Sequence, residues 1–181
     1  MSITPEEAAA ALQDINTTHT RSATLSVYAR FAPYLILWGV VWFLGYGASA
    51  LLSEGQAGLA WPPLVLLGSF GNWLITRRQT PDHGGWRYGA IFLFIGLFVV
   101  SVFTIFAPVS PRQSAAFFPL LVALAYLLIG LWGGLRILIT GAVLGALTVL
   151  GFLALGPWFY AWMAVVGSGS LIMSGLWLRT V

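Results

Sequence analysis

The sequence predicts an all-α, polytopic membrane protein: six transmembrane helices with a candidate 3+3 inverted repeat, preceded by an amphipathic N-terminal helix. Three observations predict it. Only 7% of the residues are charged and 59% are hydrophobic, whereas soluble domains carry about 25% charged residues. The uncharged stretches come in lengths of one or two membrane crossings. The eight basic residues, all Arg, fall between those stretches in a sided pattern. Eight basic and five acidic side chains cannot furnish a water-soluble shell for a chain of this size.

Residues 1–30 read as a cytoplasmic or interfacial helix. Thr4 can cap it, Pro5 suits the first helical position, and Glu6 and Glu7 complement the positive end of the helix dipole. Ala8, Leu12, Ile15 and His19 share one side, with Glu7, Asp14, Thr18 and Arg21 elsewhere. The acidic, polar start is unlike a cleaved secretory leader, which needs a basic start and an early apolar run.

Residues 31–181 form the transmembrane domain, since about 20 apolar residues cross about 30 Å of hydrocarbon. The charge-free windows place spans at about 31–52, 59–76, 88–108, 115–134, 137–156 and 157–178. Pro62 and Pro63 fall in the first turn of the second span, where proline is tolerated. Between Arg136 and Arg179 the uncharged length is twice one crossing, and Gly156-Pro157 divides it.

Arginine resists translocation and collects in cytoplasmic loops. With both termini cytoplasmic, seven arginines lie inside and only Arg112 outside. Trp61 and Trp158 then mark the outer interface, and Trp73, Trp86, Trp132 and Trp177 the inner one. The absence of Lys beside abundant Ala, Gly and Leu fits a GC-rich bacterial genome, so the expected location is a bacterial inner membrane.

An internal repeat is suggested by two offsets. Phe31-Ala32-Pro33-Tyr34-Leu35 resembles Phe117-Phe118-Pro119-Leu120-Leu121, and Tyr46-Gly47 resembles Trp132-Gly133, both 86 residues on. Gly84, Trp86 and Tyr88 match Gly156, Trp158 and Tyr160 at an offset of 72. Three spans per unit is odd, so the copies would be inverted, as in small transporters. Spans 2 and 5 align poorly, and chance coincidence of aromatics and glycines is the competing explanation.

Composition and placement exclude several activities. No cysteine is present, so disulfides, thiolate metal sites and a cysteine nucleophile are ruled out. The arginines form no basic stripe for nucleic acid. Glu6, Glu7, Asp14, Glu54 and Asp82 all fall outside the spans, leaving no carboxylate for midplane ion coupling. His19 and His83 also fall outside, which removes haem ligation within the bundle, and no cofactor or metal is expected. Asp82-His83, flanked by Pro81 and Gly84-Gly85, reads as a solvated turn rather than an acid–base pair.

The remaining candidates are contacts. Trp38, Trp42 and Tyr46 recur every four residues on one face of the first span, and could line an apolar or cationic site or meet a partner subunit. Asn72 is the most polar side chain within a span and needs a hydrogen-bond partner. Gly130 and Gly134, Gly141 and Gly145, and Gly167, Ser170 and Ser174 give small faces for close helix packing. Arg77, Arg78 and Arg87 form a juxtamembrane cluster suited to anionic lipid headgroups. Gly167-Ser168-Gly169-Ser170 could mark a serine nucleophile, but no intramembrane base accompanies it.

Two function classes follow. One is a non-enzymatic accessory component that packs against lipid, a partner subunit or another copy of itself. The other is a small channel or facilitator for an uncharged or cationic solute, with Tyr46, Asn72, Trp132 and the serines near Ser170 around a site between inverted halves. Convergence of those residues on a pocket would favour the second.

Overall fold

Long apolar runs without internal charge leave the backbone to satisfy its own hydrogen bonds, and helices are the only regular elements among the described residues. The computed structural model describes residues 5–79 and 85–180. Thr4, Asp82 and His83, and the side chain of Arg87, lie outside the described residues.

Helix α1, Pro5–Leu51, runs for 47 residues. It passes without a break through position 30, where an interfacial helix was expected to give way to the first span. No Gly or Pro stands between Pro5 and Pro33 to stop it, and Tyr28 already belongs to the buried core. Helix α2, Glu54–Gln79, starts earlier and ends later than the expected 59–76. Glu54 in its first turn and Arg77 and Arg78 in its last each sit at the end of the helix dipole that favours their charge. Pro62 and Pro63 therefore lie inside α2 rather than in its first turn.

Helix α3 covers Gly85–Ile105 and ends ahead of Pro108, whose ring disfavours helix at the residue before it. Helix α4, Pro111–Gly133, opens with a capping box. The Gln113 amide donates to Ser110 Oγ at 3.2 Å, and the Ser110 amide donates to Gln113 Oε1 at 2.9 Å. Helix α5 is Leu135–Ala154. Gly134 joins α4 to α5 at φ +116°, where a side chain would be strained and would also collide with the Tyr28 hydroxyl.

The last helix, α6, spans Gly156–Leu178. It begins at Gly156, φ +45°, with a 3-10 turn over Gly156–Trp158. In its middle, Met163–Gly167 widens to a π-helical turn. Ser168, fully buried, donates its hydroxyl to the Met163 carbonyl at 3.0 Å across that widened turn.

Among the described residues, five helical segments are long and apolar enough to cross a membrane: Ser22–Leu51, Glu54–Gln79, Pro111–Gly133, Leu135–Ala154 and Gly156–Leu178. Helix α3 adds the apolar stretch Leu93–Ile105. Helix α1 is the hub. It packs along α6 on one side and α2 on another; α5 backs α6, and α4 pairs with α5. The core gathers Leu35, Trp42 and Tyr46 of α1, Ala123 of α4, Leu144 of α5, and Phe159, Met163 and Leu171 of α6. Helix α3 stands at the periphery and reaches α4 through Phe103, whose ring lies 5.3 Å from that of Phe117 and 6.2 Å from that of Phe118.

Candidate functional site

The aromatic column of α1 is filled by α2. Glycines on each helix receive the bulky rings of the other: a Cβ on Gly68 would lie 3.4 Å from Trp38 Cη2, and one on Gly45 would lie 2.7 Å from Trp61 Cη2. Trp42 and Tyr46 meet edge to face at 6.0 Å, and Tyr46 and Trp61 at 5.1 Å. The polar ends of these rings are satisfied internally. Tyr46 donates to the Ala115 carbonyl at 2.6 Å, and Trp61 Nε1 donates to Ser49 Oγ at 3.1 Å. Trp42 and Tyr46 are buried and Trp38 is half-buried against the core; the stripe faces inward.

The residues proposed to line a solute site do not meet. Tyr46 sits at the α4 N-terminal end of the bundle. Asn72 lies toward the other end, its carbonyl accepting from Thr76 Oγ1 at 2.9 Å while Thr76 Oγ1 pairs with the Tyr34 hydroxyl at 2.9 Å. Trp132 points away from the bundle, 84% exposed. Ser170 donates to the Gly167 carbonyl of its own helix at 2.7 Å. Among the described residues the Asn72 side-chain amide makes no hydrogen bond, and Ser69 beside it is exposed.

The small residues divide by role. Gly141 lets α4 and α5 close to backbone contact: a Cβ there would lie 2.7 Å from the Leu127 nitrogen and 2.8 Å from the Ala123 carbonyl oxygen. Gly130 abuts Leu138 in the same way. Gly145 has looser surroundings, with Ala123 Cβ at 3.5 Å from the position its Cβ would take. Gly134 is the turn, Gly167 faces Met163 of its own helix, and Ser174 is half-buried on α6. Sequence reasoning missed Gly39 and Gly175, which bring α1 and α6 together: their Cβ positions would lie 2.6 Å from Ile172 Cγ1 and 2.6 Å from Ile36 Cγ1. Neither has a small residue four places away, so no spacing marked them.

Charge collects at the two ends. At one, Arg136 Nη1 donates to the Trp177 carbonyl at 2.6 Å, and its guanidinium lies 4.8 Å from the Trp177 ring and 5.9 Å from that of Tyr28. Arg30 joins this end through Gln79, whose amide reaches the Arg30 carbonyl at 3.5 Å. Arg77 stacks on Trp73 at 4.4 Å, and Arg78 is exposed. At the opposite end Arg112 Nη2 donates to the Phe152 carbonyl at 2.9 Å and covers that ring at 4.4 Å. Tyr160 stands within electrostatic reach of both Arg112 and Glu54, the only carboxylate among the described side chains.

Arg112 and Arg136 thus do the same job. Each caps carbonyls in the last turn of a helix, where a cation also favours the dipole. Ser168 and Ser170 of α6 are committed to main-chain carbonyls, and no group of three His, Asp or Glu side chains is found among the described residues. Comparison with known protein families, with curated proteins and with solved structures finds no match.

Proposed function

We propose that the chain is a six-span protein of a bacterial inner membrane, with both termini cytoplasmic. It acts there as a non-enzymatic accessory component, through helix contacts with a partner subunit, another copy or lipid. The observation that carries this reading is where the polar and apolar groups are spent. Most polar side chains within the helices are turned to internal bonds, while the outward faces carry Leu66, Leu153 and Trp132, at 70%, 76% and 84% exposure. An outside of that kind suits hydrocarbon or another apolar helix. The Asn72 amide and Ser69, on an α2 that touches little besides α1, offer a partner helix hydrogen bonds that the bundle leaves unused. The facilitator reading lacks this support, because Tyr46, Asn72, Trp132 and Ser170 lie apart.

The bundle ends support that orientation: Arg30, Arg77, Arg78, Arg136 and Arg179 share one, and Arg112 lies at the other, with Glu54 also within electrostatic reach of Tyr160. The 3+3 inverted repeat gains support from a register the sequence left obscure. A Cβ on Gly68 would lie 3.1 Å from Val41 Cγ2 and one on Gly141 2.7 Å from the Leu127 nitrogen; a Cβ on Gly71 would lie 3.0 Å from Leu37 Cδ2 and one on Gly145 3.5 Å from Ala123 Cβ. The α1 partners Val41 and Leu37 map on Leu127 and Ala123 at the same offset of 86, and the α2 glycines map on those of α5 at 73 and 74. With a one-residue shift between the two glycine pairs, these contacts suggest how spans 2 and 5 could correspond.

Native mass spectrometry of the protein extracted gently from its own membrane tests the accessory role. A membrane subunit or second copy in fixed stoichiometry is expected. A monomer carrying one small solute in its place would sink the reading.

A further inference from the structure

We infer that α3 docks along α4 in the register that α6 uses along α1. The face of α4 that carries exposed Phe118 and Ala125, with Val122 half-buried between them, is then a helix-docking surface whose occupant is this chain's own α3. The inference rests on the inverted repeat proposed above. It is independent of whether a partner subunit exists.

The contact between α1 and α6 supplies the template. Gly39 closes on the Ser168 carbonyl and on Ile172, and Gly175 closes on the Ala32 carbonyl and on Ile36. Moved by the offset of 86, Ala32, Ile36 and Gly39 become Phe118, Val122 and Ala125 of α4. Moved back by 72, Ser168, Ile172 and Gly175 become Gly96, Val100 and Phe103 of α3. Both sets fall three or four residues apart, so each makes one continuous helix face. The crossing point would bring Gly96 opposite Ala125, two small residues where the template has Ser168 opposite Gly39, which suits close approach of backbones.

One end of this contact already exists. Phe103 lies 6.2 Å from Phe118 in a stacked arrangement, as the Gly175–Ala32 pair requires of its equivalents. Beyond it the two helices diverge. Nothing stands within 4 Å of the place a Gly96 Cβ would occupy, Val100 is 64% exposed, and Ala125 is exposed. Helix α3 is held at its C-terminal end, with the matching face open along the rest of its described length. Closing α3 onto α4 from Phe103 upward would cover both apolar faces and keep the Phe103–Phe118 contact.

The native chain has no cysteine, so paired substitutions report distance cleanly. Ala125→Cys is combined in turn with cysteine at each α3 position from Leu93 to Ser101, in the full chain in membranes, and treated with a short bis-maleimide. Isotope-labelled and unlabelled chains are mixed so that links within a chain and between chains differ in mass. Links within one chain are expected, strongest for Gly96→Cys and Val100→Cys and weakest for Phe98→Cys. Phe103→Cys with Phe118→Cys is the positive control. Adding Gly96→Leu to the Val100→Cys/Ala125→Cys pair should abolish that link, because the bulk finds open space only while α3 stands apart.

Links that peak at another face of α3 would mean docking in a different register and would overturn the repeat-based alignment. Linking at the control pair alone would mean that α3 does not dock, leaving the repeat itself untouched. Links between chains would assign the α4 face to a second copy. Each of these three results rejects the inference.

Discussion

At the scale of single residues, most of the specificity lies in where hydrogen bonds of amphipathic side chains end. Tyr46 is wholly enclosed, and its hydroxyl reaches the Ala115 carbonyl at 2.6 Å, tying the end of α1 to the start of α4. Tyr46→Phe removes one neutral hydrogen bond and leaves a buried carbonyl short of a donor, so a loss of about 1 kcal/mol is expected. Tyr46→Ala removes the ring between Trp42 and Trp61 and should cost about 3–5 kcal/mol. Unfolding in detergent, followed by intrinsic fluorescence, checks both. Equal losses from the two variants would mean that the hydroxyl, rather than the ring, holds this joint. Arg136 makes a comparable argument with a charge. It caps the Trp177 carbonyl while its plane lies over Trp177 and Tyr28, so Arg136→Lys keeps the charge and loses the planar fork. Arg136→Gln should lower stability by about 1 kcal/mol, and Arg136→Lys should recover less than half of that in the same melt.

At the scale of helices, two glycines that look alike in the sequence behave differently. Gly141 and Gly145 sit one turn apart on α5 and were read together as a packing face, but only Gly141 is pressed against α4 main chain. Gly141→Ala should therefore cost about 1–3 kcal/mol through overpacking. Gly145→Ala should be neutral or stabilising by up to about 1 kcal/mol, since Ala is the better helix former and its methyl meets Ala123 at an ordinary distance. Matched thermal melts decide it, and a reversed order would mean that α4 and α5 cross elsewhere. The boundary of the hairpin was legible from Arg136, because charges punctuate apolar runs, whereas Gly134, which looks like a packing residue, is the turn itself. The unbroken length of α1 was less so: its first half is polar enough to suggest a separate element, and only the absence of Gly and Pro up to Pro33 hinted at continuity. The π-helical turn at Met163–Gly167 left no mark in spacing, since Ser168 could as well have capped, packed or reacted. Inward and outward faces were hidden as well. When almost every position is apolar, periodicity no longer separates core from periphery, and so the sequence could not say that Trp42 points in and Trp132 points out.

At the scale of the whole molecule, charge is sorted along the bundle axis although it is scarce. Tyr28 meets the Arg136 amide, Gln79 meets the Arg30 carbonyl and Arg136 meets the end of α6, so the five arginines 30, 77, 78, 136 and 179 converge at one end. The opposite end holds Arg112 and Glu54, both within electrostatic reach of Tyr160. Moving the arginine-rich end through a membrane would carry five cations across, and translocation disfavours that outcome strongly. Orientation can be read with single cysteines on the cysteine-free background, at the exposed positions Gln56 and Thr180. In intact cells an impermeant maleimide should label Gln56→Cys, beside Glu54, and should reach Thr180→Cys only after the membrane is opened. The reverse pattern would place the five arginines outside and reject the orientation. Labelling of both sites in intact cells would mean that the two bundle ends face the same compartment, which neither six spans nor any membrane-crossing arrangement of this bundle allows.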